Sequence, residues 1–123
     1  MSEKPVAERL QVKGPRRLAV INAPKPVDNQ IGARKARIEA SAADVTLLFV
    51  RNRAELDEKL PSVLRSLKNT AIFWLAYPKL TSKLAGDLNR DNIHKLAPQH
   101  GLDTVAQIAI DDDWSALRLK LTR

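Results

Sequence analysis

The sequence predicts a three-layer α/β domain on a mostly parallel sheet, and three observations carry that expectation. Segments 45–50 and 71–76 are rich in aliphatic, β-branched and aromatic residues and have no polar face, as strands covered on both sides do. Between them Leu56, Leu60, Val63, Leu64 and Leu67 form one apolar stripe at helical spacing, so strand, helix and strand follow within 32 residues. A unit of that kind has parallel strands and a right-handed crossover. Finally, residues 116–121 alternate strictly between apolar and polar, the pattern of an antiparallel strand with one wet face.

Composition sets the bounds. A chain of 123 residues is long enough for one hydrophobic core and too short for two ordinary domains. With no cysteine, it has no disulfide, no thiolate metal site and no cysteine nucleophile. The longest apolar run, Ala71 to Ala76, is far below the roughly 20 residues needed to cross a bilayer. No apolar stretch follows the charged N-terminus, so no signal peptide is expected, and a cytoplasmic protein without membrane contact is the default. The net charge of +7 is uneven: residues 1–38 hold nine Lys/Arg against three Asp/Glu, whereas residues 39–123 are nearly balanced. A basic end of this kind attracts phosphates or acidic partners, or is a solvated tail.

Residues 1–16 are expected to be a basic extension, either a short helical turn or disordered, in which Val6, Ala7, Leu10 and Val12 alone have anything to bury. Residues 17–123 then form the single α/β domain. Arg17 to Asn22 reads as the first strand. Asn22-Ala-Pro-Lys-Pro26 is expected to be a rigid loop in which no helix starts, because each proline fixes its own φ and restricts its predecessor. Room for two helical turns remains before Lys35–Ala40, whose alternation predicts a half-buried second strand with charges protecting a sheet edge.

After the third strand, Asn52 and Glu55 have capping-box spacing, in which each side chain satisfies the other's backbone N–H. Pro61 predicts a kink or break near Lys59 or Leu60, and Asn69 a left-handed closure of the helix. The fourth strand is Ala71–Ala76. A helix from about Arg90 to His100 follows, with Asn89 at its start, Gly101 at its end and Pro98 bending its last turn. Thr104–Ile110 and Ala116–Leu121 make a hairpin around Asp111, Asp112 and Asp113, with Leu117, Leu119 and Leu121 inward and Arg118 and Lys120 outward.

The stretch Leu-Leu-Phe-Val-Arg-Asn-Arg-Ala-Glu-Leu, the strand exit Ala-Ile-Phe-Trp-Leu-Ala-Tyr-Pro-Lys, the Thr-Ser-Lys loop leading to Asp87-Leu-Asn-Arg-Asp91 and the closing Asp-Asp-Asp-Trp-Ser-Ala-Leu-Arg together resemble the bacterial family catalogued as domain of unknown function 3052, over roughly residues 9–121. The resemblance supplies no activity. It implies a degenerate relative of the Rossmann-like methyltransferases, with six strands in the order 2-1-3-4-6-5 and the last strand antiparallel. Ligands in such sheets sit beyond the carboxyl ends of the strands where the order reverses. That crevice is expected between Asn22, Ala23, Arg51 and Asn52, with Tyr77, Lys79 and the following loop on the same side.

Nucleotide cofactors are usually gripped by a glycine-rich turn after the first strand. Here Asn-Ala-Pro-Lys-Pro stands in its place, and Glu39, at the position of a ribose-binding acid, reads as an edge charge, so no cofactor is expected. Lys79, Thr81, Ser82 and Lys83 gather two ammonium groups and two hydroxyls suited to a phosphate or carboxylate. Their simpler reading is that Thr81 or Ser82 caps a short helix and the lysines are solvated. The three aspartates read as a turn rather than a metal site, and Trp114 as an anchor whose indole bonds a backbone carbonyl or one of them. His94 and His100, six apart, share no helix face. No catalytic residue and no metal ligand is assigned.

The preferred reading is a non-enzymatic Rossmann-like module, regulatory or scaffolding, that binds a protein or small anionic ligand at the strand-exit side as a monomer or weak dimer. One alternative is a phosphate- or nucleotide-binding enzyme using Lys79, Ser82 and Lys83. The other is a weak, salt-sensitive nucleic-acid binder acting through Arg9, Lys13, Arg16, Arg17, Arg34, Lys35 and Arg37.

Overall fold

The computed structural model describes residues 5–122; the first four residues of the basic extension, and Arg123, lie outside them. Strands β1 (Leu18–Ile21), β2 (Val45–Phe49), β3 (Ile72–Pro78), β4 (Leu102–Ala109) and β5 (Trp114–Leu121) form one sheet in the order β1-β2-β3-β5-β4. The first three run parallel, and β5 pairs antiparallel with both β3 and β4. Helices α1 (Val6–Arg9) and α2 (Lys25–Ile31) supply buried residues to one face, α3 (Arg53–Ser66) and α4 (Arg90–Leu96) to the other.

Both faces of the central strands are therefore dry. Along β3, Phe73, Leu75 and Tyr77 join the cluster with Leu56, Leu60 and Val63 of α3, while Trp74 and Ala76 join Leu10, Val27 and Ile31 on the opposite side. Strand alternation sends neighbours to opposite faces, so a strand buried on both must be apolar throughout. The β2-α3-β3 unit stands as the sequence predicts, with Val45 beside Ile72 and Phe49 beside Ala76.

The second strand expected at Lys35–Ala40 is not there. Arg34–Ala36 and Ala40–Ala42 are 3-10 turns, and one isolated parallel bridge joins Arg37 to Leu18 at the outer edge of β1. The sheet thus has five strands, and the remaining order is that of the implied arrangement with this strand removed. Arginine side chains do what a ladder would have done. Arg17 donates to the carbonyls of Ala36 (3.1 Å) and Arg37 (3.0 Å), and Arg37 donates to that of Gly32 (2.8 Å).

Several local expectations are corrected. Helix α2 begins inside the proline loop, with Pro24 at its N-cap and Pro26 in its first turn. Prolines fit there because the first N–H groups of a helix have no internal partner to lose. Helix α3 runs unbroken through Pro61. It ends without Asn69, because Leu67 turns extended and packs against the core; among the described residues the positive-φ positions other than glycine are Gln11, Asn22 and Ala33. Helix α4 passes at Ala97 into a 3-10 turn, which closes on left-handed Gly101. Leu121 is 39% exposed rather than inward. The indole bond to a carbonyl belongs to Trp74, which donates to Leu10 (2.9 Å), whereas Trp114 stands edge-on to Phe49 with ring centroids 5.0 Å apart.

Candidate functional site

The parallel strands end on one side, and there the chain builds two unlike places. At the first, between β1 and β2, Asn22 leaves β1 with φ of 65° and turns its amide inward, donating to Phe49 O (2.9 Å) and Glu55 Oε1 (3.2 Å). Glu55 also accepts from the backbone N–H of Arg51 (2.8 Å) and from its guanidinium Nε (2.9 Å). Asn52 caps α3 by accepting from Glu55 N (2.9 Å), but the return bond of the expected capping box goes to Arg51 instead. The hydrogen bond from Arg51 holds the Glu55 carboxyl below its ordinary range, helped by the Arg51 charge and Asn22 and resisted by burial. Asn22, Arg51 and Asn52 thus come together as predicted, with their polar groups engaged on one another and on Glu55.

The second place lies beside β3. Tyr77, Lys79, Leu80, Thr81, Arg90, Gln107 and Ser115 line a cavity of about 230 Å³. Tyr77 emerges from β3, Ser115 stands opposite it in β5, Gln107 comes from β4, and Arg90 opens α4. Gln107 donates to the Tyr77 hydroxyl (3.1 Å). Burial, together with the Asp91 charge, raises the pKa of that hydroxyl against the opposing effects of Ser115 and the Arg90 charge, so Tyr77 is a neutral donor and acceptor at pH 7. Among the described residues neither Lys79 nor Arg90 forms an ion pair.

The loop that follows divides the predicted cluster. Lys79 and Thr81 line the cavity; Ser82 and Lys83 do not. Ser82 is buried, donates to Asp113 Oδ1 (2.7 Å) and accepts from Leu84 N (2.9 Å), shaping a turn rather than capping a helix. Asp111 Oδ1 accepts from the N–H groups of Asp113 and Trp114 (both 2.8 Å), and Lys79 N–H donates to Asp113 O (2.8 Å), so the acidic turn holds both the hairpin and this loop. Asp87 ties the loop's far end to α3 by accepting from Arg53 N (2.8 Å). His94 meets Thr104 across 2.7 Å, joining α4 to β4. Reading the sequence missed Glu55, Arg90, Gln107 and Ser115 as site residues. Glu55 and Arg90 were visible only as helix-start residues, and nothing local marks the other two.

The model of a family described as protein of unknown function (DUF3052) matches residues 26–123. The chain belongs to the DUF3052 family. No curated protein matches the sequence. Among solved structures, the DUF3052 chain resembles the B. subtilis tRNA methyltransferase TrmK, with a TM-score of 0.56 and 10% identity over 94% of this chain and 63% of that one. It also resembles a Methanococcus jannaschii fibrillarin pre-rRNA processing protein, with a TM-score of 0.53 and 11% identity over 98% and 70%. LepI in complex with SAM gives 0.52 and 10% identity over 94% and 39%. The DUF3052 chain therefore spans less than two thirds of TrmK and of LepI. At these identities the likeness shows a shared Rossmann-like fold.

Proposed function

We propose that this protein is a non-enzymatic Rossmann-like module, regulatory or scaffolding, that binds a small anion in the cavity between Tyr77 and Arg90. The observation that carries this reading is the contrast between the two places at the strand ends. At the β1–β2 mouth the Asn22 amide and the Arg51 guanidinium are both bonded to Glu55, while the neighbouring cavity holds two cations that, among the described residues, form no ion pair, beside a hydroxyl and an amide. Lys79 and Arg90 supply charge-assisted bonds to a carboxylate or phosphate, and Tyr77, Gln107 and Ser115 orient it.

The names of the structural neighbours bring SAM into consideration, and three features speak against it here. The loop after β1 has no glycine for close backbone approach, Pro24 and Pro26 remove two N–H donors at the start of α2, and Glu39 precedes a 3-10 turn instead of ending a strand. For the enzyme alternative, Ser82 would have to leave Asp113. For the nucleic-acid alternative, the Arg9, Arg16, Arg17, Arg34 and Arg37 guanidiniums are already engaged within the chain.

A thermal-shift screen tests the reading. Phosphorylated and polycarboxylate metabolites should raise Tm saturably, by an amount that approaches about 2.7 kcal/mol of added stability at 100 times the dissociation constant. Lys79→Ala with Arg90→Ala should abolish the shift. Saturable stabilisation by SAM or NAD that survives the double substitution would overturn it.

A further inference from the structure

The two edges of the sheet are finished differently. Outside β1, segment 32–43 lies against the strand through the Arg37–Leu18 bridge and the bonds from Arg17. Outside β4, among the described residues, no strand follows. Natural sheets usually blunt such an edge with charge or proline, because its free N–H and C=O groups are a template for another chain. Residues 104–109 read Thr-Val-Ala-Gln-Ile-Ala and have neither, and Val105 is 50% exposed.

Which backbone groups of β4 face outward follows from its two ends, because along an antiparallel strand they point alternately to the two sides. Thr122 N–H donates to Gly101 O (3.0 Å), so Gly101 and Asp103 face β5 while Leu102 and Thr104 face out. At the other end Ile110 N–H donates to Trp114 O (2.9 Å), so Ile110, Ile108 and Ala106 face β5 while Ala109 and Gln107 face out. The Ala109 carbonyl agrees, since it accepts from the Arg9 guanidinium. Among the described residues the outward groups of Leu102, Thr104 and Gln107 meet no partner. The two alternations differ in phase, and the register shift between Thr104 and Ala106 absorbs the difference as a bulge with Val105 as the extra residue. The outward positions are therefore 102, 104, 107 and 109, separated by two, three and two residues.

A regular strand, whose outward groups recur at every second residue, falls out of phase with this edge at the bulge. A second copy of β4 running antiparallel does not, because that spacing reads the same in both directions. About a two-fold axis between Val105 and Ala106, Leu102 of one copy meets Ala109 of the other, Thr104 meets Gln107, and Val105 meets Ala106. Asp103 then stands opposite Ile108, so no like charges face each other. We propose that β4 is a dimerisation edge, pairing antiparallel with β4 of a second copy and joining two five-stranded sheets into one. The two Thr104–Gln107 pairs carry the contact, since the Ala109 carbonyl is already engaged by Arg9. One strand against one strand is a small contact beside the ~1,600 Å² of a standard interface, so the dimer forms and dissociates with concentration. The pairing uses the backbone of Gln107, whereas the cavity beside β3 uses its side chain, and it stands or falls separately from the reading given above.

The test follows the full chain by sedimentation equilibrium and amide hydrogen exchange from about 10 μM to about 1 mM. The average mass should rise toward that of two chains, and exchange at Thr104 and Gln107 should slow roughly tenfold over that range. Val105→Glu places two carboxylates beside the two-fold axis and should leave a monomer, as should Val105→Lys, whereas an equimolar mixture of the two variants should associate again. The chain has no cysteine of its own, so Val105→Cys mixed with Ala106→Cys should cross-link the two copies on oxidation, and Val105→Cys mixed with Asp103→Cys should not. The exchange measurement on the unaltered chain decides the matter if a variant fails to fold. A monomer at every concentration, unchanged exchange at Thr104 and Gln107, a Val105→Glu chain that still dimerises, or equal cross-linking from Asp103→Cys would each overturn the proposal.

Discussion

Glu55 gathers Asn22 and both the backbone and the guanidinium of Arg51 onto one carboxylate whose side chain is 14% exposed. Its pKa lies below the ordinary 4.5, so the stability it contributes is complete above that value and is lost as pH falls through the lower folded-state value. Urea melts between pH 3 and 7 should therefore show Glu55→Gln about 1 kcal/mol less stable at pH 7 and less sensitive to acid than the parent. Parallel acid profiles would show that the carboxylate does not close the β1–β2 mouth. The cap at Asn52 was legible because its partner is three residues away and local geometry decides it. The Asn22–Glu55 contact spans 33 residues and arises only once β1 and β2 lie side by side, so no spacing rule announces it. Tyr77 and Lys79 were legible as strand-exit residues, whereas Gln107 meets Tyr77 only through the intervening strand β5.

Segment 32–43 shows why a periodic pattern is not sufficient for a strand. Lys35–Ala40 alternates correctly, yet its backbone enters from left-handed Ala33 and closes into 3-10 turns, and carbonyls that a neighbouring strand would have bonded are met by Arg17 and Arg37. Much of the basic excess in the first third of the chain thus has a structural use that composition alone cannot reveal. Arg17→Met should speed amide hydrogen exchange across residues 33–43 and cost about 1–2 kcal/mol, since it leaves the Ala36 and Arg37 carbonyls without their donor. Exchange rates equal to the parent's would refute the arginine ladder. Helix α3 makes the opposite point. Its apolar stripe, packed against β2 and β3, keeps it continuous through Pro61 although that residue donates no bond to Asp57 and crowds the turn before it. Pro61→Ala should raise stability by about 1–3 kcal/mol in chemical denaturation. A loss instead would mean that the proline ring itself fills space against the core.

Across the whole molecule, two clusters of buried side chains meet back to back through the sheet, and α1 belongs to one of them. Val6 and Leu10 are buried there, and Leu10 accepts the Trp74 indole bond. Removing residues 1–12 should therefore cost about 3 kcal/mol or more through lost apolar burial, and red-shift tryptophan emission as Trp74 meets water. A truncated chain with unchanged midpoint and emission would show that this segment lies loose on the surface. The parallel β2-α3-β3 unit was legible because strands covered on both sides are apolar throughout, whereas the strand order followed from the family resemblance alone. The burial of β5 on both faces at Trp114–Leu117 was not legible, since it depends on β5 entering the sheet between β3 and β4.

That order has a consequence for how the chain is made. The place beside β3 is taken by β5, which is synthesised some forty residues later and brings β4 in on its far side. Until then β3 is an open edge of dry, aromatic-rich backbone, the kind of surface that nascent chains stick together by. The lag between translating β3 and translating β5 is therefore the interval in which that edge has no neighbour on one side.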